Sequence, residues 1–264
     1  MYAFTYERPA NLSDATKLTH AGAQALAGGQ TLLASMKQRL SSPETLVDLS
    51  KIAELKDIKL EGQSIVIGAM VKHAQVAESD LVKTHLPSLA QLAGQIGDKQ
   101  VRAMGTLGGS VANNDPSACY PSAVLALGAT VHTDRRSIAA EDFFQGMFTT
   151  ALESGELIKS IYFPIPKKAV YLKFKQQASR FAMVGVFLAQ TAAGVRVAIT
   201  GASSQGVFRH HGLEQALDKS FTPEAAAAVP IDASDLNTDI HASAQYRAHL
   251  ISVQTQRAVQ HLLG

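Results

Sequence analysis

The chain has 264 residues, of which 46% are hydrophobic and 17% charged, and its formal net charge is +2. This composition is typical of a globular protein with a sizeable core and excludes an intrinsically disordered chain. Basic and acidic residues are nearly balanced on both sides of Pro164, so nucleic acid is not an expected partner. The longest apolar run, about Phe181–Ala189, is too short to cross a bilayer, so no membrane span is expected. The single cysteine, Cys119, excludes an internal disulfide and a cysteine-ligated iron–sulfur cluster, and we expect a cytoplasmic protein.

The first 55 residues predict a small α/β unit. Ser13 is a candidate N-cap of a helix that reaches Ala21. A short strand, Ala25–Ala27, then leads into the pair Gly28-Gly29. Thr31 is a candidate cap of a second helix that reaches Leu40, and Thr45–Leu49 is predicted to be a strand. The order of strand, glycine turn, helix and strand indicates an α/β arrangement.

The segment 56–166 predicts a second, larger unit. Its most unusual part is Gly105–Pro121, whose glycines, Asn/Asp residues and prolines predict an ordered loop. The remaining elements are predicted as strands at Ser64–Ala69, Ala129–Thr133 and Leu157–Phe163 and helices at His73–Ser79, Leu86–Ile96 and Ser122–Leu127.

A domain boundary is predicted at Phe163–Lys168, where two prolines and two lysines follow a strand. It divides the chain into residues 1–166 and 167–264. The second part is predicted to be α+β, with Thr191–Gly194 as the turn of a hairpin. Its predicted strands are Val170–Lys175, Val184–Gln190 and Val195–Thr200, and its predicted helices are Leu213–Leu217, Pro223–Ala228 and Ala242–Leu263.

Two glycine turns, Ala27–Thr31 and Thr106–Ser110, carry the functional prediction. Glycines allow the backbone to approach a ligand without a β-carbon, and amides that open a helix suit a phosphate. The first turn alone is also compatible with a plain structural turn, and it lacks the spacing of Rossmann and P-loop motifs, which disfavours a conventional NAD or ATP site. Together with Asn113 and Asp115 behind the second turn, the two turns predict a clamp on a diphosphate.

Several motifs in order resemble the FAD-binding medium subunit of the molybdenum hydroxylases. They are the first turn with its following Leu-Leu-x-x-Met-Lys, the second turn with Val101-Arg102 ahead of it, and Asn114–Pro116 through Tyr120-Pro121. The resemblance continues at Gly155–Ile158, Tyr171–Lys173, Ser179–Ala182 and Tyr246-Arg247. It implies an α+β fold, in which a two-lobed α/β FAD-binding region of the vanillyl-alcohol-oxidase (PCMH) type, with lobes of about 1–55 and 56–166, precedes a small α+β domain.

The resemblance also implies where FAD binds. Residues 28–33 would contact the pyrophosphate from one side and the second turn from the other, with Ile158 and Lys173 close to the flavin. Cys119 stands where relatives commonly carry an Asp that binds the adenosine ribose, and because a thiol is a poor acceptor, either a neighbour compensates or FAD is held more loosely. The implied cofactor-binding residues are Ala27, Gly28, Gly29, Gln30, Thr31, Leu32, Leu33, Gly68, Ala69, Thr106, Gly108, Gly109, Ser110, Asn113, Asp115, Cys119, Ile158 and Lys173.

Other polar residues have plain structural interpretations beside functional ones. Lys173 and Lys175 alternate on a predicted strand, so both are also compatible with facing solvent. Asp134–Arg136 resembles a solvated hairpin tip, with partner docking as the alternative. His210-His211 is interpreted as a polar loop and not as a metal site, and His73 as a structural residue at a helix start.

The resemblance implies electron transfer through FAD and no catalytic residue for substrate oxidation on this chain. The implied partners are a large molybdopterin-binding subunit and a small subunit with two [2Fe–2S] clusters, assembled as a dimer of heterotrimers. Two alternatives stay open: a stand-alone flavoprotein oxidoreductase of the same fold, and a non-catalytic subunit that has lost FAD.

Overall fold

The computed structural model describes residues 1–264. The first lobe is a three-stranded parallel sheet in the order β1-β3-β2. Its prediction as a small α/β unit is confirmed, although the strand at its start was not predicted. Its elements are β1 (Thr5–Glu7), α1 (Leu12–His20), β2 (Gln24–Leu26), α2 (Leu32–Lys37) and β3 (Thr45–Asp48).

Two details of the first lobe differ from the sequence prediction. Asn11, not Ser13, caps α1, because its side chain accepts from the backbone N–H of Asp14. Helix α2 ends at Lys37, and Leu40 beyond it is 78% exposed. Thr31 does precede α2, but its side chain makes no capping hydrogen bond. Its hydroxyl is therefore free to contact a ligand.

The middle lobe is a five-stranded antiparallel sheet in the order β4-β5-β10-β6-β7, flanked by helices. A separate two-stranded hairpin, β8-β9, lies beside it. The elements in chain order are β4 (Ile58–Glu61), β5 (Ser64–Gly68), α3 (His73–Glu78), α4 (Asp80–His85), α5 (Pro87–Gly94), α6 (Lys99–Met104), α7 (Leu107–Asn113), α8 (Tyr120–Ala126), β6 (Thr130–Thr133), β7 (Ser137–Ala139), α9 (Ala140–Phe143), β8 (Phe144–Gly146), β9 (Thr149–Thr150) and β10 (Ile158–Pro164).

The prediction of a loop over residues 105–121 is wrong, because α7 lies inside it. Glycine disfavours a helix interior, which is why the sequence indicated a loop. Leu107 and Val111 lie one turn apart and are fully buried, so tertiary packing outweighs the weak local propensity. Thr106 caps this helix through its Oγ1, which accepts from Gly109 N at 3.2 Å. Asn114 ends it in the left-handed conformation, with φ of 44°.

The C-terminal region is a four-stranded antiparallel sheet in the order β11-β12-β13-β14 with helices packed on it. The predicted hairpin Thr191–Gly194 and the three predicted helices are present. The polar loop predicted at His210-His211 is wrong, since His210 caps α10 and His211 is its first residue. The elements are β11 (Lys168–Lys175), β12 (Ala182–Thr191), β13 (Gly194–Thr200), β14 (Phe208–Arg209), α10 (His211–Lys219), α11 (Pro223–Ala227) and α12 (Ala244–Leu263).

The hydrophobic cores of the three parts interlock. The largest cluster, 32 buried residues centred on the middle lobe, includes Tyr171 and Phe187 from the C-terminal sheet. The cluster of the first lobe includes Met70 and Leu157, which belong to the middle lobe. The parts are therefore packed into fixed positions relative to one another. No helix of the chain is long and apolar enough to cross a membrane.

Candidate functional site

A cleft with two adjacent chambers lies where the first lobe, the middle lobe and the C-terminal sheet meet. The first chamber has a volume of about 550 Å³ and is lined by both glycine turns and Ile158. The second, of about 400 Å³, is lined by residues that include Cys119 and Lys173. Gln30, Thr31 and Asn113 border both chambers. Each chamber falls within the roughly 300–1,000 Å³ of small-molecule sites, so the cleft suits an elongated ligand.

The first glycine turn presents a row of free backbone donors to this cleft. The five consecutive amides from Gly28 to Leu32 donate no hydrogen bond within the protein, and the next amide, Leu33 N, bonds to Gly29 O at 3.0 Å. Gly29 has φ of +70°, a left-handed conformation that glycine adopts without strain. A concave run of free amides is a site for phosphate oxygens. This turn therefore has the chemistry that the sequence predicts for it.

The second turn contributes less through its backbone than expected. Leu107 N bonds to Val71 O and Gly108 N to Ala69 O, both at 2.9 Å, and Ser110 N bonds to Thr106 O. The first two bonds hold the start of α7 against residues 69–71, and the third is an i to i−4 bond of the helix itself. Helix α7 contributes side chains to the cleft instead. Ser110 and Asn113 lie one turn apart and border the chambers, and neither the hydroxyl nor the side-chain amide has a hydrogen-bond partner in the protein.

The glycines of both turns are needed mainly for packing the chain against itself. A β-carbon on Gly28 would lie 2.3 Å from Met104 O and 2.7 Å from Gly105 Cα. On Gly109 it would lie 2.8 Å from Thr106 Oγ1. Glycine thus lets the two turns touch and close the cleft between them. The glycines therefore have a packing role in addition to the close approach of a ligand that the sequence predicts.

Two predicted cofactor-binding residues lie behind the wall of the cleft. Gly68 packs against the backbone of Leu55, 2.3 Å from where its β-carbon would be, and lines neither chamber. Leu33 also lines neither chamber, because its side chain packs under Gly29. Both support the turns without facing the cleft. The other sixteen predicted residues all line one chamber or both.

Lys173 is directed into the second chamber and does not face solvent as an ordinary strand lysine. Its Nζ donates to Gln95 O at 2.8 Å and lies 3.5 Å from Cys119 Sγ. The two acidic side chains that line this chamber accept hydrogen bonds from backbone amides. Asp98 accepts from Val101 N and Asp115 from Ser117 N, each at 2.8 Å. The lysine ammonium therefore has a carbonyl and a thiol as partners and no carboxylate.

The contact between Lys173 and Cys119 contradicts part of the expected assignment. Cys119 was expected at the adenosine ribose and Lys173 at the flavin, which are opposite ends of FAD, yet the two side chains touch. Ile158 was expected near the flavin together with Lys173, yet it lines the other chamber. The sequence does not show the contact between Lys173 and Cys119, because the two residues are 54 positions apart and meet only where β11 passes the start of α8. Cys119 and Lys173 therefore line one chamber together, and Ile158 lines the other.

The turn Asp134–Arg136 is the tip of the β6-β7 hairpin, and Arg135 and Arg136 are exposed there as predicted, but its side chains also hold a neighbouring segment. Arg136 holds Glu156 with two hydrogen bonds, of 3.1 and 3.0 Å, and Asp134 accepts from Leu157 N at 2.7 Å. Gly155 O in turn accepts from Thr19 Oγ1 of the first lobe at 2.8 Å. We call the contacts between residues 133–136, residues 153–157 and α1 the inter-lobe latch. It fixes the first lobe to the middle lobe beside the first chamber.

Glu156 is the charged centre of the latch. Burial disfavours its ionised form, but hydrogen bonds from Arg136, from Glu153 N and from Thr133 outweigh this effect and lower the pKa to about 2. The carboxylate is therefore ionised throughout the physiological pH range. Leu157 and Ile158 follow directly and line the first chamber. The latch thus positions that wall of the cleft.

Sequence reasoning missed several lining residues. Ile96 and Val101 border the second chamber, as does the segment Ala178–Phe181, while Met70 borders the first. No local pattern distinguishes these residues from ordinary core or loop residues. Only Val101 and the segment at Ser179–Phe181 carried a signal, as parts of the motifs of the resemblance.

Comparison with known proteins identifies the cofactor of the chain. Residues 2–166 match the family described as the FAD binding domain in molybdopterin dehydrogenase. The chain belongs to this family. FAD is its cofactor, and the free amides of residues 28–32 fit the pyrophosphate of this group.

Similar proteins cover the whole chain. The carbon monoxide dehydrogenase medium chain of Afipia carboxidovorans is 34% identical over 98% of this chain and 96% of its own length. The nicotine 6-hydroxylase medium subunit of Paenarthrobacter nicotinovorans is 33% identical, with 97% and 96% covered. Among solved structures, a reconstituted CO dehydrogenase from Oligotropha carboxidovorans superimposes with a TM-score of 0.90 at 31% identity, covering 99% of this chain and 98% of that one. The predicted α+β fold is confirmed.

Proposed function

We propose that the chain is the FAD-carrying electron-transfer subunit, the medium subunit, of a molybdenum hydroxylase. The observation that carries the proposal is the row of five free amides at the mouth of a two-chambered cleft, in a chain that matches medium chains over nearly its full length. Bound FAD supplies the chemistry, since it takes up electrons and passes them to a further acceptor. The role of the chain's own residues is to bind FAD, orient it and set its electrostatic surroundings.

We assign the isoalloxazine ring to the second chamber and the adenosine to the first. Lys173 supports this orientation, because its ammonium has no carboxylate partner and therefore places an unpaired positive charge where the flavin gains electron density on reduction. The pyrophosphate then lies against residues 28–32, where both chambers meet. In this orientation Cys119 serves the flavin end, and Ile158 packs at the adenosine end.

Electrons must reach this chain from another subunit. The chain has a single cysteine and cannot ligate an iron–sulfur cluster on its own. We therefore propose two partners, a large molybdopterin-binding subunit and a small subunit with two [2Fe–2S] clusters, assembled as a dimer of heterotrimers in the cytoplasm. Relatives named medium chain or medium subunit support this composition. We propose residues 1–166 as the FAD-binding region and 167–264 as a C-terminal domain.

The test is co-purification of the chain with the products of its neighbouring genes. The complex should show the absorption of oxidised flavin and release one FAD for each copy of this chain on acid denaturation. Removal of the iron–sulfur subunit should abolish reduction of the flavin by substrate. A complex that contains no flavin would refute FAD binding. Reduction of the isolated chain by a small substrate would instead indicate a stand-alone oxidoreductase.

A further inference from the structure

His73 occupies an unusual position in the wall of the second chamber. It is the first residue of α3 and only 4% exposed, and its ring borders the chamber. Its backbone N–H donates to Gly105 O at 3.0 Å, which joins it to the second glycine turn. Its ring lies 5.3 Å from that of Tyr120, between centroids. The imidazole is thus held in place on two sides, and its position is set by packing.

The two nitrogens of this ring differ in their surroundings. Nδ1 is fully buried and has no hydrogen-bond partner. Nε2 has no partner in the protein either, but it is not among the fully buried atoms, and it lies next to Gly105 in a residue that lines the second chamber. Burial, with a smaller contribution from the positive charge of Arg102, lowers the pKa of His73 to about 4. The neutral ring therefore carries one proton, on one of these two nitrogens.

The position of that proton follows from the cost of burying an unpaired group. A buried N–H without an acceptor is rarer in proteins than a buried acceptor without a donor. The proton is therefore on Nε2, and the sealed Nδ1 keeps its lone pair. The ring then presents an N–H to the chamber.

The neighbouring glycine keeps Nε2 accessible. A β-carbon on Gly105 would lie 2.5 Å from Nε2 and 2.8 Å from Cδ2, so any other residue at this position would displace or cover the ring. Nothing in the protein accepts a hydrogen bond from Nε2. A donor that is held in place, has no partner in the protein and belongs to a residue lining a ligand chamber is suited to binding that ligand.

We propose that His73 is a cofactor-binding residue that donates a hydrogen bond from Nε2 to an acceptor atom of the FAD group in the second chamber. The isoalloxazine ring offers carbonyl oxygens and ring nitrogens as acceptors. The inference rests on the proposed orientation of FAD in the cleft. It adds a binding residue from a helix start that the sequence indicated as purely structural.

The first test compares FAD dissociation constants of the full-length protein and three variants. His73→Leu removes the donor, and His73→Gln retains an N–H at a similar distance from the backbone. His249→Leu, on the exposed face of α12, is the matched control. His73→Leu is expected to weaken FAD binding roughly tenfold, the factor that one neutral hydrogen bond supplies, with less loss in His73→Gln. Equal affinity of His73→Leu and the wild type would overturn the proposal.

The second test needs no folded leucine variant. In protein labelled with ¹⁵N-histidine, the spectrum should contain a neutral imidazole whose proton is on Nε2. This signal should be absent from the spectrum of His73→Gln, which assigns it to His73. Its Nε2 resonance should shift when FAD is added. A proton on Nδ1, or a signal unchanged by FAD, would overturn the proposal. If the wild-type chain itself binds no FAD, the proposed function fails, and this is distinguishable from loss of affinity in the variant alone.

Discussion

Gly28→Ala tests whether the contact between the two glycine turns sets the geometry of the cleft. The added β-carbon would lie 2.3 Å from Met104 O and 2.7 Å from Gly105 Cα, both backbone atoms that cannot rotate away. Reaching ordinary contact requires a displacement of roughly 1 Å. Hydrogen bonds to phosphate oxygens that start near 2.9 Å are lost at that displacement.

The size of the effect follows from the number of amides that move. Hydrogen bonds to a charged group contribute about 1.5–3 kcal/mol each, so losing two of the five that residues 28–32 can offer weakens FAD binding at least roughly a hundredfold. Flavin fluorescence titration of the apo protein measures this directly. The control is Gly94→Ala at the end of α5, where the nearest atom to the new β-carbon is 3.9 Å away.

The reasoning has a clear point of failure. Gly94→Ala should bind FAD with unchanged affinity. Suppose that Gly28→Ala also binds FAD within about threefold of the wild type while its circular dichroism is native. The disturbed contact of residue 28 with Met104 and Gly105 then has no effect on the amides. The glycines would then have to be explained by folding alone. A melting temperature for each apo variant separates loss of the site from loss of the fold.

Three further predictions address other parts of the cleft. Glu156→Gln should lower the free energy of unfolding by about 2 kcal/mol at neutral pH, because it removes the buried charge of the latch. Since the pKa of Glu156 is lowered in the folded protein, the difference in unfolding free energy between variant and wild type should shrink between pH 5 and pH 2, as measured by urea unfolding. His73 takes up a proton near pH 6.5 in the unfolded chain and near pH 4 in the folded chain. The free energy of unfolding should therefore fall by roughly 2 kcal/mol from pH 7.5 to pH 5, and His73→Gln should not show this fall. Cys119, the only cysteine, is 5% exposed and lines the second chamber, so maleimide should label it slowly in apo protein and more slowly still with FAD; equal rates would place the cofactor elsewhere.

The sequence predicted well those features that depend on residues adjacent in the chain. The hairpin Thr191–Gly194 and the strands beside it are present because alternation and a glycine turn determine them locally. The first glycine turn lies where the motif predicts it and has the free amides that phosphate binding requires. These predictions needed no knowledge of distant contacts.

The errors arose where contacts between distant segments decide the structure. Helix α7 forms in spite of its glycines because Leu107 and Val111 are buried. Arg136 is exposed as predicted, but its bond to Glu156 was missed because that partner is 20 residues away. Likewise, Cys119 and Lys173 were expected far apart because no local signal shows that Lys173 touches the start of α8. The resemblance identified the cofactor, and the structure was needed to arrange the residues around it.

The inter-lobe latch has a consequence for the kinetics of cofactor loading. The lobes share a core through Met70 and Leu157 and are joined again through Gly155 and Glu156, so they cannot swing apart without breaking buried contacts. FAD must therefore enter an aperture of fixed width. Association is then expected to be a single concentration-dependent phase without a slow opening step, and variation in affinity among cleft variants should fall mainly in the dissociation rate. A weakened latch, as in Glu156→Gln, should speed FAD release more than it slows uptake.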